Sequence, residues 1–538
     1  MAKQPPETFQ DFHFPKAGID RAGPFGRQPV RPGKREGEYF RTTHLGHNVR
    51  AFDPVSMRDR GGSRPGLTKF IVGEVNGVFW IVQHLNSLVT TTPGALTVQQ
   101  SQSGRVVFVL AVSQGKVKVA TPDAVAWAGT TNNTGEEPEL NFSGVMQSAQ
   151  NNQKMYFVDG VNYCYFAPKT NSMEKWAATA GTLPKDEDGN KARLICTWRG
   201  RTVLSGLLKD PQNWFMSKVS DPTNFDYFPA AASATDAVAG NNAGLGLIGD
   251  IVTALIPYND DILVFGGDHT IYMMRGDPLA GGQIDLVSDS IGIAFGEAWC
   301  KDPYGNIYFF SNKCGLYKFV PGQMQPIRIS QAIEVLAQEI DTGRNIIRMV
   351  WNDRFQGVHV FVTWAELPQA TTHFFWEMRT NAWWTDGFGN PNHNPLAAAV
   401  LDGNDPNDRR LLIGGWDGIV RMLDPTAVDD DGTPISSAVV IGPILTQEQD
   451  EMLLKDVQAV LAVNSNPVTF ETFVGDTAEQ ALASVSTVTG TWAAARNNTS
   501  PIRRSGHAIY LKLSCAAVWA METIRARFAG RGKVRRRN

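Results

Sequence analysis

The feature that most constrains this chain is a recurring unit of short, Gly- or Asp-broken apolar runs. Phe70 to Val82 reads as strand, Asn76-Gly77 turn, strand. Asn-Gly between apolar runs is a strong hairpin signal, because a type I′ turn needs positive φ at both central residues. Arg105 to Ala120 repeats the pattern around Gln114-Gly115, Met155 to Phe166 around Asp159-Gly160, and Arg193 to Leu207 around Arg199-Gly200. Further units run over Leu255–Met274, Ala298–Phe319, Ile347–Trp384 and Leu396–Leu423. Comparable units recur roughly every 45–50 residues, the period of four-stranded propeller blades. The expected fold class is therefore all-β, a β-propeller of six or seven blades. Two separate β-sandwiches are the rival architecture, since sandwiches also space strands by about 8–12 residues.

A propeller also reconciles 538 residues with one continuous fold. With 42% hydrophobic and 19% charged residues the chain can fill a core, and 51 glycines suit many tight turns. Residues 1–66 read differently, as an extended N-terminal arm. Pro5, Pro6, Pro15, Pro24, Pro29 and Pro32 break any period, yet Phe9, Phe12, Phe14, Phe25, Tyr39 and Phe52 supply aromatic anchors for a partner or for the chain's own body. The propeller is expected over 67–427, a C-terminal β-sandwich-like domain over 428–528 with Trp492 and Trp519 in its core, and a basic tail over 529–538. Two helices are predicted: Ser330–Ile340, with Ile333, Leu336, Ala337 and Ile340 on one face, and Thr446–Leu454, opened by the capping box Thr446…Gln449.

The net charge of −3 conceals a segregation. Residues 1–70 hold 13 Lys and Arg against 7 Asp and Glu, and residues 503–538 hold 10 against Glu522 alone, so 71–502 carries −18. Basic ends on an acidic body suit docking onto acidic neighbouring subunits as well as simple solvation. Five cysteines without a Cys-x-x-Cys pair do not suggest a disulfide framework or zinc site and fit a reducing assembly compartment. No signal peptide is expected from Met1–Pro15, and no run reaches the roughly 20 apolar residues of a spanning helix.

Catalytic signatures are weak. Gly244–Gly249 matches Gly-x-Gly-x-x-Gly but follows no strand, and reads as a loop. His44 and His47 lack companion ligands, and Asp429-Asp430-Asp431-Gly432 reads as a solvated turn because it lacks the spacing of a calcium loop. Asp260, Asp261, Asp268, Asp277 and Asp353 sit at bends, where Asp is favoured for its own turn chemistry. No catalytic, cofactor or metal residue is assigned, and the chain is not expected to be an enzyme. The alternative is a propeller enzyme or lectin acting on surface polysaccharide through two opposed acids.

Several segments resemble the tail nozzle, or packaged-DNA stabilisation, proteins of short-tailed phages. They are Asn48–Pro54 with Arg60–Gly66, Arg193–Gly206 followed by Asp210–Ser217, Ile271–Pro278, Gly292–Gly296, and the stretch from Asp424 onward. The resemblance runs patchily from about residue 45 to 528 and leaves 1–44 uncovered. It implies a structural virion protein, a homohexameric ring that extends the DNA channel, helps retain packaged DNA and takes part in ejection. Its partners would be copies of itself, the portal and adaptor, distal fibre, spike or needle proteins, and genomic DNA passing without sequence-specific binding. It would be assembled in the host cytoplasm, with no membrane span and no cofactor. Candidate subunit contacts are Phe9, Phe12, Phe14, Arg50, Phe52, Arg60 and Arg64 in the arm, and Arg531, Lys533, Arg535, Arg536 and Arg537 in the tail. An acidic lumen would repel phosphate and let DNA slide.

Overall fold

The structure, a computed structural model, describes residues 7–26, 29–32, 39–54, 56–71, 79–88, 105–113, 115–122, 124–132, 138–141, 146–245, 248–402, 409–445 and 451–530. The described residues form seven four-stranded antiparallel blades. Their inner strands are Phe79–Leu88, Gln147–Asn151, Leu194–Trp198, Val252–Pro257, Trp299–Lys301, Asn345–Asn352 and Ala397–Leu401. The inner strand of blade seven packs against that of blade one and closes the ring. Buried side chains from successive blades interlock: Val109 and Leu110 of blade one share a core with Phe157 of blade two and with Ala397 and Leu412 of blade seven.

Local turn chemistry explains several blades. Arg199 (φ 50°) and Gly200 (φ 71°) both hold the left-handed backbone that a tight hairpin between Leu194–Trp198 and Arg201–Ser205 requires. Asn152 (φ 46°) and Gln153 (φ 59°) do the same between the first two strands of blade two. The Asn76-Gly77 turn and Gln114 lie outside the described residues.

Blade seven is composite. Three strands come from Ala397 to Asp424, and the outer strand is Gly66–Lys69. It pairs antiparallel with Val420–Asp424, with Leu67 opposite Leu423 and Gly66 opposite Asp424. A strand from early in the chain thus fastens the last blade.

The C-terminal domain is a sandwich. One sheet orders Glu7–Phe12, Met521–Gly530, Met452–Leu461 and Ser500–Gly506, so the start of the arm is one of its edge strands. The facing sheet contains Ser437–Leu445, Ala508–Cys515, Val468–Gly475 and Val488–Trp492. It is continuous with blade six, because Gly46–His47 pairs parallel with Ala382–Asp386 and antiparallel with Ser437–Leu445. Trp492 and Trp519 are both buried between the layers, Trp492 stacked on Phe470 with ring centroids 4.3 Å apart.

Two expectations are corrected. Residues 452–454, predicted as the end of a helix, begin the strand Met452–Leu461, in which Met452, Leu454, Val457, Ala459 and Leu461 face the core; residues 446–450 lie outside the described set. The helix expected over 330–340 shrinks to a 3₁₀ turn, Gln331–Ile333, and one α turn, Glu334–Ala337. Ser330 does not cap it; its hydroxyl accepts from the Leu316 N–H at 3.0 Å instead. Ala332, Ile333, Ala337 and Ile340 still bury against blades five and six. The final strand also runs to Gly530, past the predicted start of the basic tail. Among the described residues no helix is long and apolar enough to cross a membrane.

Candidate functional site

The densest polar construction lies where the arm crosses from blade six to the sandwich. Asn48 enters it with φ 53°, a conformation Asn tolerates better than most residues. Its amide donates to Gly387 O (3.0 Å) and Ser436 O (2.8 Å), and its oxygen accepts from the Gly387 N–H (2.9 Å) and from Arg64 Nε (2.8 Å). One side chain thus ties the arm to the end of blade six and to the entry of the sandwich.

Two buried ion pairs flank it. Arg50 grips Asp386 with two parallel hydrogen bonds, 2.7 and 2.5 Å, while its guanidinium lies 4.2 Å from the Phe375 ring centre. Arg64 grips Asp430 the same way, at 2.8 and 2.5 Å, and also donates to Gly387 O. This bidentate geometry is what an always-charged planar guanidinium does best. Burial alone would raise the Asp386 carboxyl; Arg50, joined by Arg64, outweighs it and holds the group at about 2. Burial would likewise lower Arg64, and Asp430 reverses that and raises it.

Two histidines of blade six complete the site in neutral form. His359 lies 4.5 Å from the Phe375 ring centre, and burial, aided by Arg50, lowers it to about 3. His373 is lowered to about 4, chiefly by burial. Its Nδ1 accepts from the Val362 N–H (3.1 Å), which leaves the proton on Nε2, 3.0 Å from Asn394 Oδ1.

The sequence-predicted contacts separate into three groups here. Arg50 and Arg64 are corrected: both are fully buried and their partners lie in the same chain. Phe12 and Phe14 are corrected in the same way. Phe12 packs on Phe528, and Phe14 sits between Trp384 and Trp519, bridging blade six and the sandwich. Phe52 lies under Arg379, 3.5 Å from the guanidinium, and Arg60 binds Asp53 and Glu522. Phe9, 66% exposed, remains available to another molecule. Arg531, Lys533, Arg535, Arg536 and Arg537 lie outside the described residues.

Other singled-out residues also find structural work. Asp430, expected in a solvated turn, is fully buried beneath Arg64, and Asp431 pairs with Arg421 at 2.9 Å. His47 meets Thr385 Oγ1 at 3.2 Å. Asp277 faces Arg199 and Arg201 at 3.7 and 3.6 Å, and Asp353 accepts from Trp351 Nε1 at 2.7 Å. Gly246 and Leu247 of the glycine-rich loop are outside the described set. Among the described residues no group of three or more His, Cys, Asp or Glu is placed to hold a metal. Asp386, His359, His373 and Asn48 were missed as a cluster, since the first three sit on successive strands of blade six, Asn48 lies far off in the arm, and only the strand pairing gathers them. Chemically the arrangement is a lock: charged groups withdrawn from water, each satisfied by one across the seam.

No family model and no curated protein matches the chain. Among solved structures, the extracellular domain of BT4673, described as a hybrid two-component system of B. thetaiotaomicron, aligns at 9% identity and TM-score 0.40, covering 77% of this chain. The chain spans only 45% of that domain's length. The WD40 propeller domain of Doa1 aligns at 12% identity and TM-score 0.37, covering 66% of this chain and 96% of that one. YCF48, solved bound to D1 peptide, aligns at 10% identity and TM-score 0.35, covering 66% and 98%. The propeller assignment itself rests on the seven blades and their closing strand.

Proposed function

We propose that the chain is a structural virion protein, a subunit of a short-tail nozzle ring that extends the DNA channel, helps retain packaged DNA and links portal and adaptor to distal tail parts. The observation that carries the reading is the stitched joint. The arm closes blade seven, fuses blade six to the sandwich and supplies an edge strand of the sandwich. A protein under load from packaged DNA needs its domains to move as one body, and buried bidentate ion pairs across the seam resist separation. The resemblance to nozzle proteins and the split between basic ends and an acidic body support the same assignment. In this reading the work is mechanical and no residue acts on a substrate.

The test is assembly. The purified chain is measured by mass photometry and electron microscopy, alone and with portal, adaptor and distal tail proteins. A closed hexameric ring that joins the adaptor is expected. A strict monomer that binds none of these proteins, or one that cleaves or binds polysaccharide, overturns the proposal.

A further inference from the structure

The outer strands of the blades are not treated alike. Those of blades one and three, Ala128–Gly129 and Val238–Ala239, are only two residues long. That of blade two is bridged by Thr131, that of blade six continues into Gly46–His47, and that of blade seven is bridged by Asp430. Blades four and five differ. Gln283–Ser288 and Met324–Arg328 end their sheets with no further strand among the described residues. A bulge at Val287 breaks the alternation of the first, on which Leu286 stands 54% exposed; on the second, Ile327 stands 49% exposed. Between the two strands runs a groove of about 430 Å³ lined by Leu286, Ser288, Asp289, Ile291, Gln325 and Pro326. An open strand edge with apolar side chains is a template for a further chain.

Charge indicates which chain. Residues 250–289 hold seven aspartates against Arg275 as the only Lys or Arg; Asp285 and Asp289 beside the groove are exposed, and Asp285 lies 3.5 Å from Arg275, a half-exposed pair that a more basic segment can share. The opposite sign collects at one end of the sandwich. Met452 pairs with both Gly506 and Gly530, so the strand carrying exposed Arg503 and Arg504 lies about 10 Å from where the chain leaves the sheet. Residues 531–537 then add Arg531, Lys533, Arg535, Arg536 and Arg537.

We propose that the groove between blades four and five receives the basic C-terminal segment, residues 531–538, of a second copy of this chain, with Arg503 and Arg504 of that copy beside it. The sandwich is fused to blade six, so within one chain blade five separates donor from acceptor. A head-to-tail contact between copies joins them directly and, repeated, closes a ring. The inference rests on the nozzle-ring reading and specifies its subunit contact.

Three variants test it by mass photometry at low salt: D285K/D289K, a chain lacking 531–538, and D285K/D289K combined with R503E/R504E/R535E/R536E. The substituted groove residues are exposed, and a thermal melt checks that each variant folds. The first two should lose the ring by about tenfold or more in population, and the third should recover it, as expected for complementary charges. Carbodiimide treatment of a mixture of ¹⁵N-labelled and unlabelled wild-type chains should give a mixed-label link from Lys533 to Asp285 or Asp289. Intact rings in both loss variants with no such link overturn this contact and leave the ring reading standing. A wild-type chain that never assembles removes both. Loss of binding to a short DNA duplex on tail deletion, with rings intact, makes the tail a phosphate contact and overturns the proposal.

Discussion

At blades six and seven the outer strands continue into the rest of the chain; at blades four and five they face solvent. On the first side the arm adds Gly46–His47 to one blade and Gly66–Lys69 to the next, and the seam holds Arg50–Asp386 and Arg64–Asp430 away from water. On the second side the strands end in exposed Leu286 and Ile327, with Asp285 and Asp289 flanking Leu286. The difference separates two uses of the same edge. A covered edge fixes the subunit's own shape, and an open one is left for another molecule. Substitutions on the two sides should therefore differ in kind: stability should change on the first and association on the second.

The largest effect is expected at the covered side. Asp386→Ala leaves Arg50 buried without its bidentate carboxylate and should cost about 3–5 kcal/mol. Urea denaturation at pH 7 measures it. A loss within about 0.5 kcal/mol, ordinary for a surface site, would show that the seam is not a lock.

Acid should act on the same side. His359 and His373 are held near 3 and 4, below the ordinary 6.5, so the unfolded chain takes up their protons first. Their neutral burial costs nothing above pH 6.5, and stability declines as pH falls below it toward the folded values. By pH 5 the loss should approach about 2 kcal/mol per histidine. Asp386 adds a separate loss only under stronger acid, because its lowered group keeps its contribution above 3.8 and surrenders it as pH falls through about 2. Denaturation curves at pH 7 and pH 5 should therefore differ for the wild-type chain. The difference should shrink in His359→Asn or His373→Asn, whatever their stability at pH 7.

The propeller was legible because blade hairpins announce themselves locally, through Asn, Asp and Gly at bends and alternating apolar residues between them. The sandwich core was legible for a similar reason, since Trp492 and Trp519 have few places to go in a small β domain. The lock was not. Arg50 and Arg64 resemble any arginines of a Pro-rich basic arm, and Asp430 any member of an acidic turn. Their partners lie 336 and 366 residues away. Phe12 and Phe14 read as anchors for a partner or for the chain's own body, and were set among the subunit contacts, because sequence spacing cannot tell an intramolecular docking site from an intermolecular one. The ten-residue strand Met452–Leu461 was misread at its start because Thr446…Gln449 satisfies a capping pattern, whereas alternate burial, a tertiary property, decided the outcome.

A smaller loss is expected where the arm passes closest to its own aromatic anchor. Gly61 has φ +77°, and a Cβ there would come within 2.2 Å of the Phe14 ring. Gly61→Ala should cost about 1–3 kcal/mol, through the left-handed backbone and the forced shift of Phe14 between Trp384 and Trp519. Thermal denaturation checks it, and Phe14→Ala, which removes the Cγ and Cδ atoms nearest that Cβ, should recover part of the loss, so that Gly61→Ala costs less in the Phe14→Ala chain than in the wild type. If the double variant recovers nothing, the contact with Phe14 is not what makes Gly61 necessary.

The smallest effect on folding should come from the open side. Leu286 is half exposed on the outer strand of blade four, so Leu286→Lys removes little buried apolar area and should shift stability by no more than about 0.5 kcal/mol. It should nevertheless weaken self-association, because it places a cation where the basic segment of a neighbour is to lie. A Leu286→Ser control keeps the acidic surroundings and removes only the apolar contact. Equal association by both variants would mean that burial of Leu286 governs docking; a larger defect for the lysine would assign the dominant part to charge. A Leu286→Lys chain with an unchanged melting temperature and unchanged assembly would erase the contrast between the two sides, since the open edge would then take part in neither stability nor association.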